Sequence, residues 1–237
     1  MLGSYTTKLW LWPGMINLHN LAKPDILLSN KGETMYVNDV ELQDGEYLTP
    51  GIKVIDNAID NCMELIDIAN SSPDGWMPSA VGGPDNVDTE VRRSNSFNFP
   101  VHFSNPLSFF KTAQKIYLYS QQYAQENGIF FTHMEQISML EYLAGDGFYK
   151  PHLDFGPDHP RTVSAILYLN DVEEGGETYF DKFNLSVQPK AGRLVLFPSN
   201  FPYSHEARLP VSGNKYILVT WFGEPINPNV FENYYRG

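Results

Sequence analysis

The sequence contains a single cysteine, Cys62, in 237 residues. That excludes an internal disulfide, an iron–sulfur cluster and any metal site built on several thiolates. Histidine is scarce as well, with six in the chain, so a protein metal site must combine few imidazoles with Asp or Glu. Basic residues are outnumbered: 16 Lys and Arg against 28 Asp and Glu leave a net charge of −12. A surface of that sign repels nucleic acid and anionic lipid. No long apolar run is present. The segment "KLWLWPGMINL" is apolar but broken by Pro13 and Gly14, too short for a signal segment or a membrane span. The expectation is a cytoplasmic protein without nucleic-acid or membrane partners, in which the sequons at Asn70 and Asn184 carry no weight.

Aromatic residues are what the chain has in excess. Fifteen Phe, 14 Tyr and 4 Trp make up 14% of it, favouring strands and interior packing over helical bundles. With 42% apolar and 19% charged residues the chain is neither disordered nor a coiled coil.

Residues 1–50 mix short apolar stretches with turn clusters such as "SNKG" and "QDGE", and read as an extension without assigned chemistry. From Gly51 the pattern changes. The run "AIDNCMELIDIA" places Ile59, Met63, Ile66 and Ala69 at helical spacing. A second helix is expected in "NPLSFFKTAQKIYLYSQQYAQENG", with Asn105 as N-cap, Pro106 at the first position and Gly128 as the stop. Between them, Ser71 to Glu90 is rich in Pro, Gly and Asp, the composition of a lid or binding loop. From Phe130 the apolar period becomes two, in runs such as "RTVSAILYLN", "RLVLFP" and "NKYILVTWF". The expected architecture is α+β: a mainly β jelly roll, core about 130–223, in one domain spanning 51–237 and supported by N-terminal helices.

Several residues in this region carry chemistry. In "FYKPHLDFG", His152 and Asp154 are two apart, so on a strand they share a face. Together they form a surface ion pair or strand-end cap, or two of the three ligands of a 2-His-1-carboxylate iron site. His205, beyond four strand-like runs, is either a satisfied strand-edge histidine or the third ligand. Lys215 opens the most apolar strand and shares a face with Ile217, Val219 and Trp221. There it either snorkels from the strand end or meets a buried anion. Tyr142 and Tyr168 are core aromatics or donors to a buried carboxylate.

The segments "YLAGDGFYKPHLDF", "RTVSAILYLNDVEEGGETYF", "VQPKAGRLVLF" and "SHEARLPVSGNKYILVTWF" resemble the catalytic core of the iron(II)- and 2-oxoglutarate-dependent dioxygenases. Within them the chain is most similar to prolyl 4-hydroxylases. "TEVRRSNSFNF" is similar to the segment that follows their mobile substrate loop. The resemblance implies a double-stranded β-helix fold, Fe(II) held by His152, Asp154 and His205, and 2-oxoglutarate and O2 as co-substrates, with ascorbate as a reductant. It implies that Lys215 pairs with the distal carboxylate of 2-oxoglutarate, that Tyr142, Tyr168 and Thr178 supply hydrogen bonds, and that Trp221 walls the site. It implies that Arg161 and Arg92 contact a proline-containing peptide or protein substrate. Lys rather than Arg at 215 is closer to the collagen-type and algal-type enzymes than to the oxygen-sensing ones. The alternatives are the same chemistry on another protein side chain or a small molecule, and a non-catalytic β-roll binding module.

Overall fold

The computed structural model describes residues 27–28, 34–35, 40–72, 75–82, 86–99, 107–156 and 159–224. In chain order its elements are β1 (Leu27–Leu28), β2 (Thr34–Met35), β3 (Glu46–Thr49), β4 (Ile52–Ile55), α1 (Cys62–Ser71), β5 (Met77–Pro78), β6 (Arg92–Arg93) and β7 (Asn95–Asn98). Then follow α2 (Leu107–Asn127), β8 (His133–Met134), β9 (Ser138–Tyr142), β10 (Phe148–His152), β11 (Arg161–Tyr168) and β12 (Thr178–Phe180). The last strands are β13 (Leu185–Val187), β14 (Leu194–Pro198), β15 (His205–Ala207) and β16 (Lys215–Gly223).

Helix α1 begins after Asn61, later than the apolar spacing suggested, and this turns its buried face. Cys62, Leu65, Ile66 and Ala69 are buried, whereas Met63 falls on the row of Asp67 and Asn70 and is 62% exposed. Helix α2 ends where expected. Gly128 takes a left-handed φ of 64°, and Ile129 N–H reaches back to the Ala124 carbonyl at 2.8 Å, closing the last turn. The expected cap at Asn105 and Pro106 lies outside the described residues.

Two antiparallel sheets form a jelly roll. The larger runs β3-β4-β14-β11-β16-β9-β7-β5, with β8 also paired to β16; the smaller runs β13-β12-β15-β10-β6. Strand β3, in the region read as an extension, is thus the edge of the larger sheet. Alternation along β11 divides the core. Val163, Ala165 and Leu167 pack towards the two helices, while Ile166 and Tyr168 point between the sheets with Phe180, Phe197, Ile217 and Val219. The described part of the Ser71–Glu90 segment is tied to the larger sheet through β5. The Trp76 ring there lies 6.0 Å from both Phe97 and Tyr216. No helix among the described residues is long and apolar enough to cross a membrane.

The acidic turn before β12 is fixed by two glycines with left-handed backbone, Gly175 (φ 75°) and Gly176 (φ 76°). A Cβ at Gly175 would collide with the Leu209 carbonyl oxygen. Gly175→Ala is therefore expected to destabilise the protein by about 1–2 kcal/mol from the backbone alone, and by more with the collision. A urea midpoint equal to wild type would contradict this.

Candidate metal centre

The smaller sheet brings the two distant histidines together. His152 ends β10 and His205 opens β15, and the two are register partners across the antiparallel pair. Asp154, two residues past the strand end, completes the group. Its Oδ1 lies 3.6 Å from His152 Nε2 and its Oδ2 lies 3.7 Å from His205 Nε2. One ligand atom from each residue falls within 4.8 Å of the others.

The backbone settles which imidazole nitrogens face inward. His152 Nδ1 is 2.9 Å from the Lys150 carbonyl and His205 Nδ1 is 3.2 Å from the Tyr203 carbonyl. A carbonyl can only accept, so in each ring Nδ1 carries a proton, and Nε2 is the nitrogen turned to the centre. Burial, with His152 adjacent, lowers the His205 pKa to about 4, keeping that ring neutral near pH 7. Burial alone would raise the Asp154 carboxyl, but His205 and His152 beside it and the Ser164 hydroxyl outweigh this and hold it far below the usual carboxylate range. The result is two inward-turned imidazole nitrogens and one carboxylate anion, which is the donor set of a facial iron site. The residues present fit Fe(II).

The other residues expected at the site lie on strands of both sheets. The Tyr168 hydroxyl donates to Thr178 Oγ1 at 2.6 Å and lies 3.2 Å from the Val187 carbonyl; burial pushes this phenol up. Tyr168→Phe would remove the hydroxyl that lies between the buried Thr178 Oγ1 and the Val187 carbonyl. A stability loss of about 1–3 kcal/mol is expected, and unchanged thermal unfolding would contradict it. Lys215 is fully buried. Its ammonium donates to the Gly176 carbonyl at 2.8 Å and sits 4.3 Å from the ring centre of Tyr142, its register partner on β9. Burial lowers the Lys215 pKa to about 7, with Glu177 acting in the opposite direction. No carboxylate is paired with it among the described residues.

The two arginines are more engaged with the protein than the sequence suggested. Arg161 chelates Glu135 through Nε and Nη2, both at 2.6 Å, and lies 3.7 Å above the Trp221 ring. Arg92 donates to Ser94 Oγ at 2.8 Å and to the Ala80 carbonyl at 3.2 Å, and covers the Tyr149 ring at 4.8 Å. A cavity of about 50 Å³ contains the three candidate ligands together with Tyr142, Tyr149, Thr178 and Trp221. Arg92 is shared between it and a neighbouring groove of about 400 Å³ lined by Pro78, Val87, Thr89 and Leu143. His133 is in the short strand β8 and His159 in an isolated bridge to Gly156, and neither belongs to the ligand group of the triad.

Sequence reasoning passed over Tyr149, whose ring stacks on His152 at 3.6 Å. It also passed over Glu135, and over Phe180 and Phe197, whose rings lie 5.7 and 4.8 Å from that of His205.

Residues 137–223 match the model of the 2OG-Fe(II) oxygenase superfamily. This segment is similar to the 2OG-Fe(II) oxygenase core. Among curated proteins it is similar to prolyl 4-hydroxylase subunit alpha-1 of Gallus gallus, 33% identical over 115 residues, covering 41% of this chain and 22% of that protein. A putative prolyl 4-hydroxylase of Acanthamoeba polyphaga mimivirus is 33% identical over 114 residues, covering 40% of this chain and 47% of that one. The match thus spans less than half the length of either relative. Among solved structures, the fold is similar to a Pseudomonas putida prolyl-4-hydroxylase (TM-score 0.58, 24% identity, 73% of this chain and 92% of that one). It is also similar to a viral collagen prolyl hydroxylase from Paramecium Bursaria Chlorella virus-1, solved as a 2OG complex (TM-score 0.56, 21% identity, 73% and 96%). The jelly roll of this core is therefore the fold of those hydroxylases.

Proposed function

We propose that this chain is an Fe(II)- and 2-oxoglutarate-dependent dioxygenase that hydroxylates proline in a peptide or protein. The observation that carries this reading is the pairing of two features in one barrel. One is a His-Asp-His group with both Nε2 atoms turned inward; the other is a fully buried lysine without a carboxylate partner among the described residues.

In this reading His152, Asp154 and His205 hold the iron and leave the remaining positions to the co-substrates. When bound, iron with 2-oxoglutarate and O2 supplies the oxidation: the keto acid becomes succinate and CO2, and one oxygen atom enters a substrate C–H bond. The protein's own residues bind, orient and exclude water. Lys215 takes the distal carboxylate, with Thr178 and Tyr168 supplying hydroxyls beside it and Tyr142 forming the wall under the ammonium. A charge-assisted hydrogen bond in such a dry site contributes about 1.5–3 kcal/mol. Trp221, held flat by Arg161, closes the metal side. Arg92 stands between the metal cavity and the neighbouring groove, and we assign that groove to the peptide on either side of the reacting proline. The prolyl substrate is supported by the prolyl 4-hydroxylase relatives and by the likeness in fold to a Trichoplax adhaerens prolyl hydroxylase, solved with a hypoxia inducible factor peptide fragment (TM-score 0.59, 16% identity, 74% of this chain and 84% of that one).

The test is succinate release with Fe(II), 2-oxoglutarate and a panel of proline-containing peptides, followed by mass spectrometry. A gain of ~16 Da, one oxygen atom, on a proline is expected. Succinate formed with every peptide left unmodified would retain the oxygenase and overturn the prolyl substrate.

A further inference from the structure

Asp154 does not belong to the strand that carries His152. It follows the end of β10, so the sheet's hydrogen bonds do not fix its side chain, and something else must hold a buried carboxylate in one orientation. Ser164 and Ser199 supply what is missing. Both are 1% exposed. Ser164 Oγ lies 2.6 Å from Asp154 Oδ2, and the two serine hydroxyls are 2.9 Å apart.

The chemistry fixes the direction of this chain. A carboxylate only accepts, so the single Ser164 proton goes to Asp154; Ser164 then accepts, and the donor must be Ser199. A second link runs through the backbone, where Phe155 N–H donates to the Ser199 carbonyl at 3.0 Å. Ser199 therefore holds Asp154 twice, through the hydroxyl relay and through the following residue. Ser199 is itself tied to β11 by its own N–H, which donates to the Thr162 carbonyl at 3.1 Å. Asp154 Oδ1 has no protein hydrogen bond among the described residues.

We propose that Ser199 and Ser164 are positioning residues: their relay engages Asp154 Oδ2 and leaves Oδ1 as the donor to the metal, setting the affinity of the triad. This rests on the reading of His152, Asp154 and His205 as a metal site. Neither serine touches the metal or the substrate.

The test uses the full chain, freed of metal and titrated with Co(II) under anaerobic conditions, with the d–d absorption read at each addition. Ser164→Ala is expected to weaken Co(II) binding about 10- to 100-fold, the range for residues supporting a metal ligand, and to change the shape of the d–d spectrum. Ser199→Ala is expected to shift both in the same direction by less. Ser164→Thr, which restores a hydroxyl, is expected to recover the wild-type spectrum, a rescue that mere packing damage would not show. Wild-type affinity and spectrum in Ser164→Ala overturn the relay. If Ser164→Ala fails to fold, wild-type affinity and spectrum in Ser199→Ala overturn it instead. Absence of Co(II) binding to the wild type, or binding indifferent to His205→Ala, would instead overturn the metal site itself.

Discussion

Replacing Lys215 with alanine is expected to raise the dissociation constant for 2-oxoglutarate roughly a hundred- to several-thousand-fold while Fe(II) binding is retained. The figure follows from burial. Lys215 is fully inaccessible, so removing it leaves the ligand's carboxylate in the barrel without a counter-charge, which costs about 3–5 kcal/mol, and every 1.4 kcal/mol is tenfold. The same burial makes the affinity depend on pH. With its pKa lowered to about 7, the free protein's Lys215 loses its proton above neutrality, and the dianion favours the protonated form. Apparent affinity should hold below pH 7 and weaken by up to tenfold per unit as pH rises beyond it. The ligand-free protein should behave in the opposite sense. Between pH 7 and about 10.5, the ordinary lysine value, the unfolded chain binds the proton that the folded chain has lost, so this group's contribution to stability rises with pH across that window. Calorimetric titration of wild type and Lys215→Ala reads the binding effects. An affinity unchanged by the mutation would remove Lys215 from the site.

The second large effect is the loss of any one candidate ligand. His152→Ala, Asp154→Ala and His205→Ala are each expected to abolish 2-oxoglutarate turnover with the fold preserved. The three act as a unit, so one missing donor should forfeit most of what three provide. Asp154→Ala carries an internal control. It removes the anion between two imidazoles, so the metal-free variant should still melt cooperatively while failing to retain Fe(II). Near-wild-type succinate production by any of the three would show that the assignment of that ligand is wrong.

The residues that sequence reading located share a simple local signature. Lys215 was visible because it interrupts a clean period-two strand, and alternation along β16 does place it with Ile217 and Val219. His152 and Asp154 were visible from a spacing of two, although Asp154 in fact lies just past the strand. Tyr149 was hidden for a physical reason. It is three residues from His152, which on a regular strand means opposite faces. The register of β10 against β15 shifts between these residues, and that irregularity brings the two rings into stacking contact. Glu135 and Ser199 could not be found from spacing, since their partners Arg161 and Ser164 lie on β11, 26 and 35 residues away. The resemblance implies that Arg161 and Arg92 contact substrate, and their bonds to Glu135, Ser94 and Ala80 became visible only when the strands were assembled. Met63 was misplaced because periodicity alone does not say where a helix begins.

The claim at the centre of all this is that one pocket binds iron and 2-oxoglutarate together. Anaerobic addition of Fe(II) and then 2-oxoglutarate to the metal-free protein tests it without a substrate. A charge-transfer absorption band is expected to grow on the second addition, to be absent in His205→Ala, and in Lys215→Ala to require far more 2-oxoglutarate. Wild-type protein that takes up Fe(II) and shows no such band at saturating 2-oxoglutarate would contradict the account.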